Sequence, residues 1–167
     1  MQMVEPPDAH YLSAAMGWLE LGNRVEAKLE LGRINPALHK NPQVLEAHWL
    51  VQAADQDWPA ALETARLLIE SDPNRSFGWL HQAYALRRVP EGGLQAAWDA
   101  LLPVVDRFPK EATIPYNLAC YACQMGRADE ARKWLRRALR RGDKTAIRMM
   151  ALADSDLEPL WTEVKEW

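Results

Sequence analysis

Apolar residues recur every three or four positions along most of this chain, which is the periodicity of amphipathic helices rather than of strands. Near the N-terminus, for instance, Tyr11, Ala15 and Trp18 fall on one side of a helix. Glycine and proline residues interrupt the pattern at short intervals. The pattern therefore predicts an all-α chain. Its helices are expected at 8–21, 24–34, 43–54, 58–71, 76–88, 94–107, 114–124, 128–141, 145–153 and 156–166.

The first eight predicted helices form four pairs that repeat at 34 to 36 residues. A small residue recurs at the same place in each second helix: Ala27, Ala61, Ala97 and Ala131. A turn residue comes five positions earlier in each pair: Gly22, Gln56, Gly92 and Gly126. Helix pairs with this period are typical of stacked arrays in which neighbouring units share one core. We expect one domain, 1–167, with repeats at 8–41, 42–75, 76–111 and 112–143 and a capping segment at 144–167.

The clearest resemblance to a known family, the tetratricopeptide repeat (TPR) proteins, lies in residues 116–139, YNLACYACQMGRADEARKWLRRAL. Residues 117–119 match the core of the first helix, Gly126 matches the turn, and Ala131 matches the small residue where helices cross. The closing segment, IRMMALADSDLEPLW, resembles that of small bacterial proteins of this type. The resemblance implies a right-handed α-solenoid whose first helices line a concave face. It also implies binding of a protein or peptide.

Composition is that of a folded domain, with 49% apolar and 26% charged residues. The net charge of −3 says little, but the charges are unevenly placed. Between Arg132 and Arg148 there are eight basic residues, opposed by Asp143 alone. The segment from Asp154 to Trp167 carries five acidic residues against one lysine. The first twelve residues have no signal-peptide pattern, and no apolar run is long enough to span a bilayer. The expected location is the cytoplasm.

Candidate catalytic and metal-binding motifs are weak. Cys120 and Cys123 form a C-x-x-C motif, but zinc would need a second pair of ligands, and a redox pair gains reactivity at a helix N-terminus rather than deep inside a helix. We expect both to be small buried thiols. The four histidines form no catalytic pattern, and no phosphate-binding loop surrounds Gly92. The sequence predicts a protein that is not an enzyme, with no cofactor, metal or catalytic residue.

The repeat register places mostly apolar residues on the inner face of the first helices. The predicted peptide-binding groove consists of Leu12, Met16, Leu50, Phe77, Leu80, Tyr84, Arg87, Arg88 and Tyr116. TPR domains that capture the C-terminal carboxylates of chaperones use lysine, arginine and asparagine at such positions, and that clamp is missing here. The expected function is an adaptor or co-chaperone-like scaffold that binds an amphipathic helix or an extended apolar peptide. The alternative is that the same face is buried in a homodimer, as in a self-associating scaffold.

The basic run RKWLRRALRRGDK is a second candidate binding surface. It could contact a nucleic acid, an anionic membrane or an acidic protein. Only Trp134 is interleaved with the arginines, which argues against stacking of bases. An acidic protein, or the acidic C-terminal segment of the same chain, is therefore the favoured contact. The sequence does not identify the partner.

Overall fold

A computed structural model describes residues 3–167, which are helical and contain no strand. The α-helices are α1 Asp8–Glu20, α2 Arg24–Gly32, α3 Pro42–Ala54, α4 Trp58–Ser71, α5 Ser76–Leu86, α6 Leu94–Leu101, α7 Thr113–Gln124, α8 Ala128–Arg141, α9 Lys144–Ala153 and α10 Trp161–Val164. Short 3-10 helices form at Pro36–Leu38, Leu102–Val104 and Ser155–Leu160. The predicted all-α class is confirmed. None of the helices in the described part of the chain has the length and apolar character needed to cross a membrane.

The predicted bounds of α4 and α8 match the structure at both ends. Helix α4 begins where the Asp57 carboxylate accepts a hydrogen bond from the backbone N–H of Ala60, at 3.3 Å. Helix α6 is shorter than predicted and ends at Leu101. Pro103 causes the difference, because it lacks the N–H that an α-helix needs, and the chain continues as a 3-10 turn.

At two places the cap is not the aspartate with which the predicted helix begins, Asp8 or Asp156. Pro7 occupies the cap position of α1, whereas Asp8 lies in the first turn and accepts a hydrogen bond of 2.7 Å from the backbone N–H of Asn35. At the C-terminus the cap is Asp154 rather than Asp156, and its carboxylate accepts from the Asp156 N–H at 3.0 Å. The predicted last helix is consequently a 3-10 segment followed by the four-residue α10.

The turns between paired helices need a left-handed residue. Gly22, Gln56 and Gly126 have φ angles of 76°, 59° and 75° at equivalent positions. In the third pair the residue with a positive φ angle is Gly93, at 109°, and it follows the turn position Gly92 by one residue. A Cβ atom at Gly92 would lie 1.9 Å from the carbonyl oxygen of Leu86, so that glycine is required for close packing instead.

The described residues divide into two compact units, with the boundary between Ala85 and Leu86. We call them unit 1, up to Ala85, and unit 2, from Leu86 onward. The core of unit 1 centres on Ala15, Ala27, Leu31, Ile34, Val44, Ala47 and Val51. Within unit 2, α7 and α8 pack together and bury Leu118 and Leu135 completely. The four repeat-marking alanines are all fully buried, as close packing at helix crossings requires.

The C-terminal segment packs on unit 2 as a cap. Leu157 and Leu160 are fully buried and Val164 is 1% exposed. The 3-10 segment Ser155–Leu160 contacts α7, and the indole N–H of Trp161 donates to the carbonyl oxygen of Ala151 at 2.8 Å. The apolar side chains of this segment therefore cover the outer surface that α7 would otherwise expose.

Candidate functional site

The predicted groove residues of α1 belong largely to the core of unit 1. Leu12 and Met16 are half-buried and pack against the cluster that contains Ala15 and Leu31. Further along unit 1, Leu50, Phe77 and Leu80 are half-buried. Tyr84 is the most accessible member of the predicted set in unit 1, with 39% of its surface exposed.

Tyr84 belongs to a group of contacting rings that we call the aromatic cluster: Trp49, Trp58, Phe77, His81 and Tyr84. Phe77, His81 and Tyr84 fall on one side of α5 because they are spaced by four and three residues. The Trp49 ring of α3 meets all three, with centroid distances of 6.2, 3.9 and 5.9 Å. The Trp58 ring of α4 lies 5.8 Å from that of Tyr84. Three helices thus fix the tyrosine ring on a rigid base.

His81, like Trp49 and Trp58, belongs to this cluster but not to the predicted groove. Its ring stacks on Phe77 with centroids 3.6 Å apart and 12° between the planes. Its Nδ1 atom lies 2.8 Å from the carbonyl oxygen of Phe77, which assigns the ring proton to Nδ1. Burial lowers the pKa of His81 to about 4. The imidazole is therefore neutral at neutral pH, and it adds no charge to the cluster.

Two predicted groove residues in unit 2 are not part of an open surface. Tyr116 is only 4% exposed, and its hydroxyl donates to the Asp154 carboxylate at 3.0 Å. Both terminal nitrogens of Arg87 donate to the Asp156 carboxylate, one of them at 2.8 Å. The prediction that Tyr116 and Arg87 line an open groove is corrected for one reason: the acidic C-terminal segment lies against α7, and its carboxylates bind both side chains. Arg88 is half-buried.

A cluster of possible metal ligands lies at the same place. Ligand atoms of Cys120, Asp154 and Asp156 are within 4.8 Å of one another. Their hydrogen bonds are internal, since the Cys120 thiol lies 3.5 Å from the Asp154 carboxylate and Asp156 is paired with Arg87. Burial, reinforced by the charge of Asp154, raises the pKa of the Cys120 thiol well above its ordinary value. A metal would need the thiolate, so the contacts favour a structural hydrogen-bond network over a metal centre.

Both cysteines are buried, as predicted. Burial also raises the pKa of Cys123. Neither thiol lies at the N-terminus of α7, where the helix dipole would favour a reactive thiolate. The C-x-x-C motif therefore serves the packing of α7.

Three arginines of the basic run form hydrogen bonds or ion pairs within unit 2. Arg132 forms a bidentate pair with Glu163, with nitrogen–oxygen distances of 2.7 to 2.9 Å. Arg137 pairs with Asp106, and Arg141 donates to the backbone carbonyl of Val105 at 3.1 Å. The predicted contact between the basic run and the acidic C-terminal segment is thus present.

Arg136 and Arg140 belong to the same run, but their side chains are exposed. The guanidinium of Arg136 lies 4.9 Å from the centroid of the Trp167 ring. Both arginines line a cavity between α8 and α9. This part of the basic run remains accessible from solvent.

Neither a protein-family model nor a curated protein sequence matches the chain. Among solved structures, a thermophilic TPR protein from Thermus thermophilus is similar, with a TM-score of 0.71 and 22% sequence identity. The match covers 93% of this chain and 82% of that chain. Together with the paired helices and their buried alanines, this likeness establishes that the chain has a TPR-like helical repeat fold.

Proposed function

We propose that the protein is a non-catalytic interaction module and that the aromatic cluster of unit 1 binds an apolar helix or an extended apolar peptide. The TPR-like fold supports a protein-interaction scaffold in general. The observation that carries the finer proposal is the position of Tyr84, a residue that is 39% exposed and whose ring contacts those of Trp49 and Trp58. Rigid aromatic side chains of this kind are enriched among residues that dominate binding energy.

The electrostatics of the cluster favour an apolar ligand. His81 is neutral at neutral pH because burial lowers its pKa. Leu50 and Leu80 are half-buried members of the predicted groove in the same unit. Burial of one large apolar side chain against such a surface contributes about 1.5–3 kcal/mol. We therefore expect affinity to depend on contact area more than on salt.

Site-specific photo-cross-linking in extracts of the native host tests this proposal. A photoreactive phenylalanine analogue replaces Tyr84 in one protein and Leu67 in the control, because Leu67 is similarly exposed, at 37%, but lies on α4 outside the cluster. We expect a defined protein adduct from position 84 that is weak or missing from position 67. Equal adducts at both positions, or none at position 84, would contradict the proposal.

Self-association is a second candidate function, supported by a different surface. Leu21, Val25 and Leu29 are 76%, 69% and 55% exposed. Val25 and Leu29 are four residues apart on α2, so they form an apolar stripe that a second copy could cover. Light scattering after size exclusion would detect the dimer, and Leu29→Glu should convert it to a monomer. A wild-type protein that is monomeric at high concentration would rule this candidate out.

A further inference from the structure

A cavity of about 640 Å³ lies in unit 2, between α8, α9 and Trp167. It combines basic and apolar walls. The basic side chains are Arg136, Arg140, Lys144 and Arg148, and the apolar ones include Met149 and Leu152. This volume lies within the range of about 300–1,000 Å³ that is typical of ligand pockets in proteins.

Within residues 3–167, none of these four cations forms an ion pair with a carboxylate, although Glu163 interacts electrostatically with Arg136 from farther away. The ion pairs of the basic run involve Arg132, Arg137 and Arg141 instead. Arg148 donates to the backbone carbonyl of Lys165, a neutral acceptor, at 2.9 Å. The cavity is therefore a concentrated positive site, and the carboxylate that interacts with Arg136, that of Glu163, is already hydrogen-bonded to Arg132.

The cavity also exposes an apolar contact surface. Met149 is 68% exposed, and its neighbour Met150 is 45% exposed. Methionine side chains are flexible and polarisable, and they are common at surfaces that adapt to partner side chains. A ligand that matches this site needs negative charge and an apolar side chain close together.

A row of four basic residues spaced by four positions runs along α8 and into α9, and we call it the basic row: Arg132, Arg136, Arg140 and Lys144. Contacts within the chain show which kind of ligand fits this row. The C-terminal segment occupies the first two positions: Glu163 pairs with Arg132, and the Trp167 ring lies beneath Arg136. Glu163 and Trp167 are themselves four residues apart. An acidic residue followed by an apolar one at helical spacing thus matches the row, and Arg140 and Lys144 extend it.

We propose that this cavity is a second binding site, one that takes an acidic amphipathic protein segment. Carboxylates of the segment pair with Arg140 and Lys144, and an aliphatic side chain contacts Met149. The site is separate from the aromatic cluster and does not depend on the function proposed for it. Recognition combines ion pairs between carboxylates of the segment and cations of the cavity with one apolar contact between them.

The charge of the whole chain favours a protein segment over a nucleic acid. The chain has 20 basic and 23 acidic residues, a net charge of −3, which disfavours binding of a long polyanion. Among the described residues, Trp167 supplies the aromatic ring that lines the cavity, and Arg136 covers one face of that ring, where a base would otherwise stack. The cations also surround a concave site, whereas a bilayer surface needs a protruding or flat one.

Fluorescence anisotropy with a defined probe tests the proposal. The probe is a labelled synthetic helical peptide of repeating glutamate-x-x-x-leucine, compared with a scrambled peptide of the same composition. We expect the double variant Arg140→Ala with Lys144→Ala to weaken binding of the repeating peptide at least about tenfold. Met149→Asp should weaken it by a similar factor. All three side chains are exposed, so the variants should fold normally, which circular dichroism verifies.

The matched control is Lys110→Ala with Lys133→Ala, which removes the same charge from two exposed lysines of unit 2 outside the cavity. It should change the affinity by less than about twofold. The proposal is overturned if the peptide fails to bind, if the control weakens binding as much, or if the scrambled peptide binds equally well. It is also overturned if oligothymidylate or phosphatidylserine vesicles bind more tightly through Arg140 and Lys144.

Discussion

Protonation of His81 should destabilise unit 1 as the pH falls. Burial lowers the pKa of this residue from 6.5 to about 4, so the unfolded chain binds the proton more readily than the folded chain. The stability that the neutral His81 side chain contributes is fully present above pH 6.5 and is lost progressively as the pH falls toward 4. Each pKa unit corresponds to about 1.4 kcal/mol, so the complete loss is about 3 kcal/mol.

The variant His81→Phe isolates this contribution because it keeps a ring between Phe77 and Trp49 but cannot titrate. Urea unfolding at a series of pH values measures the free energy of unfolding of both proteins. We expect the wild type to lose about 3 kcal/mol more than the variant across this range. The comparison is needed because burial also lowers the pKa of His48 and raises that of Glu46, and these shifts act in opposite directions on stability.

An exposed histidine supplies the control. His10→Phe makes the same substitution at an exposed position outside the cluster, so it controls for the effect of replacing a histidine by phenylalanine elsewhere in unit 1. If His81→Phe shows the same dependence on pH as the wild type, the imidazole is not held neutral by burial, and the electrostatic argument for an apolar ligand fails with it.

Three further stability predictions can be checked by thermal or urea unfolding. Ala131→Leu should overpack a fully buried helix crossing and cost about 1–3 kcal/mol; an unchanged melting temperature would show that the crossing is loose. Leu160→Ala should cost about 2–5 kcal/mol because the cap buries that side chain completely, whereas a negligible effect would mean that the C-terminal segment detaches readily. Gln56→Gly should stabilise by up to about 1 kcal/mol by relieving a left-handed conformation. Gly126→Ala, which introduces a side chain at the equivalent position of the fourth pair, should lower the free energy of unfolding. If both substitutions changed the free energy of unfolding in the same direction, the strain argument would be wrong.

The helices and their pairing could be predicted from the sequence because the signals are local. A 3.6-residue apolar period acts over a few residues, and the structure follows it most closely in α4 and α8, whose predicted bounds match at both ends. The repeated alanines were equally informative because only a small side chain fits a close helix crossing. Gly92 shows the limit of the pattern, since in the longer third turn the residue with a positive φ angle is Gly93.

The parts of the site that sequence reasoning missed depend on contacts between distant residues. Tyr116 and Asp154 are 38 positions apart, and Arg87 and Asp156 are 69 apart. No local pattern indicates that the acidic segment returns to α7. The neutral state of His81 could not be predicted for a related reason: its spacing from Phe77 places both on one side of α5, but that state depends on burial against Trp49 from α3.

The most direct test of the proposed function is the affinity of a peptide selected against the wild-type protein from a random displayed library. Isothermal titration calorimetry then compares the wild type, Tyr84→Ala and the control Leu67→Ala. The account predicts a selected peptide rich in apolar residues, whose affinity falls at least about tenfold with Tyr84→Ala, changes little with Leu67→Ala, and depends weakly on salt. An affinity that is unchanged by Tyr84→Ala and falls steeply with salt would contradict it.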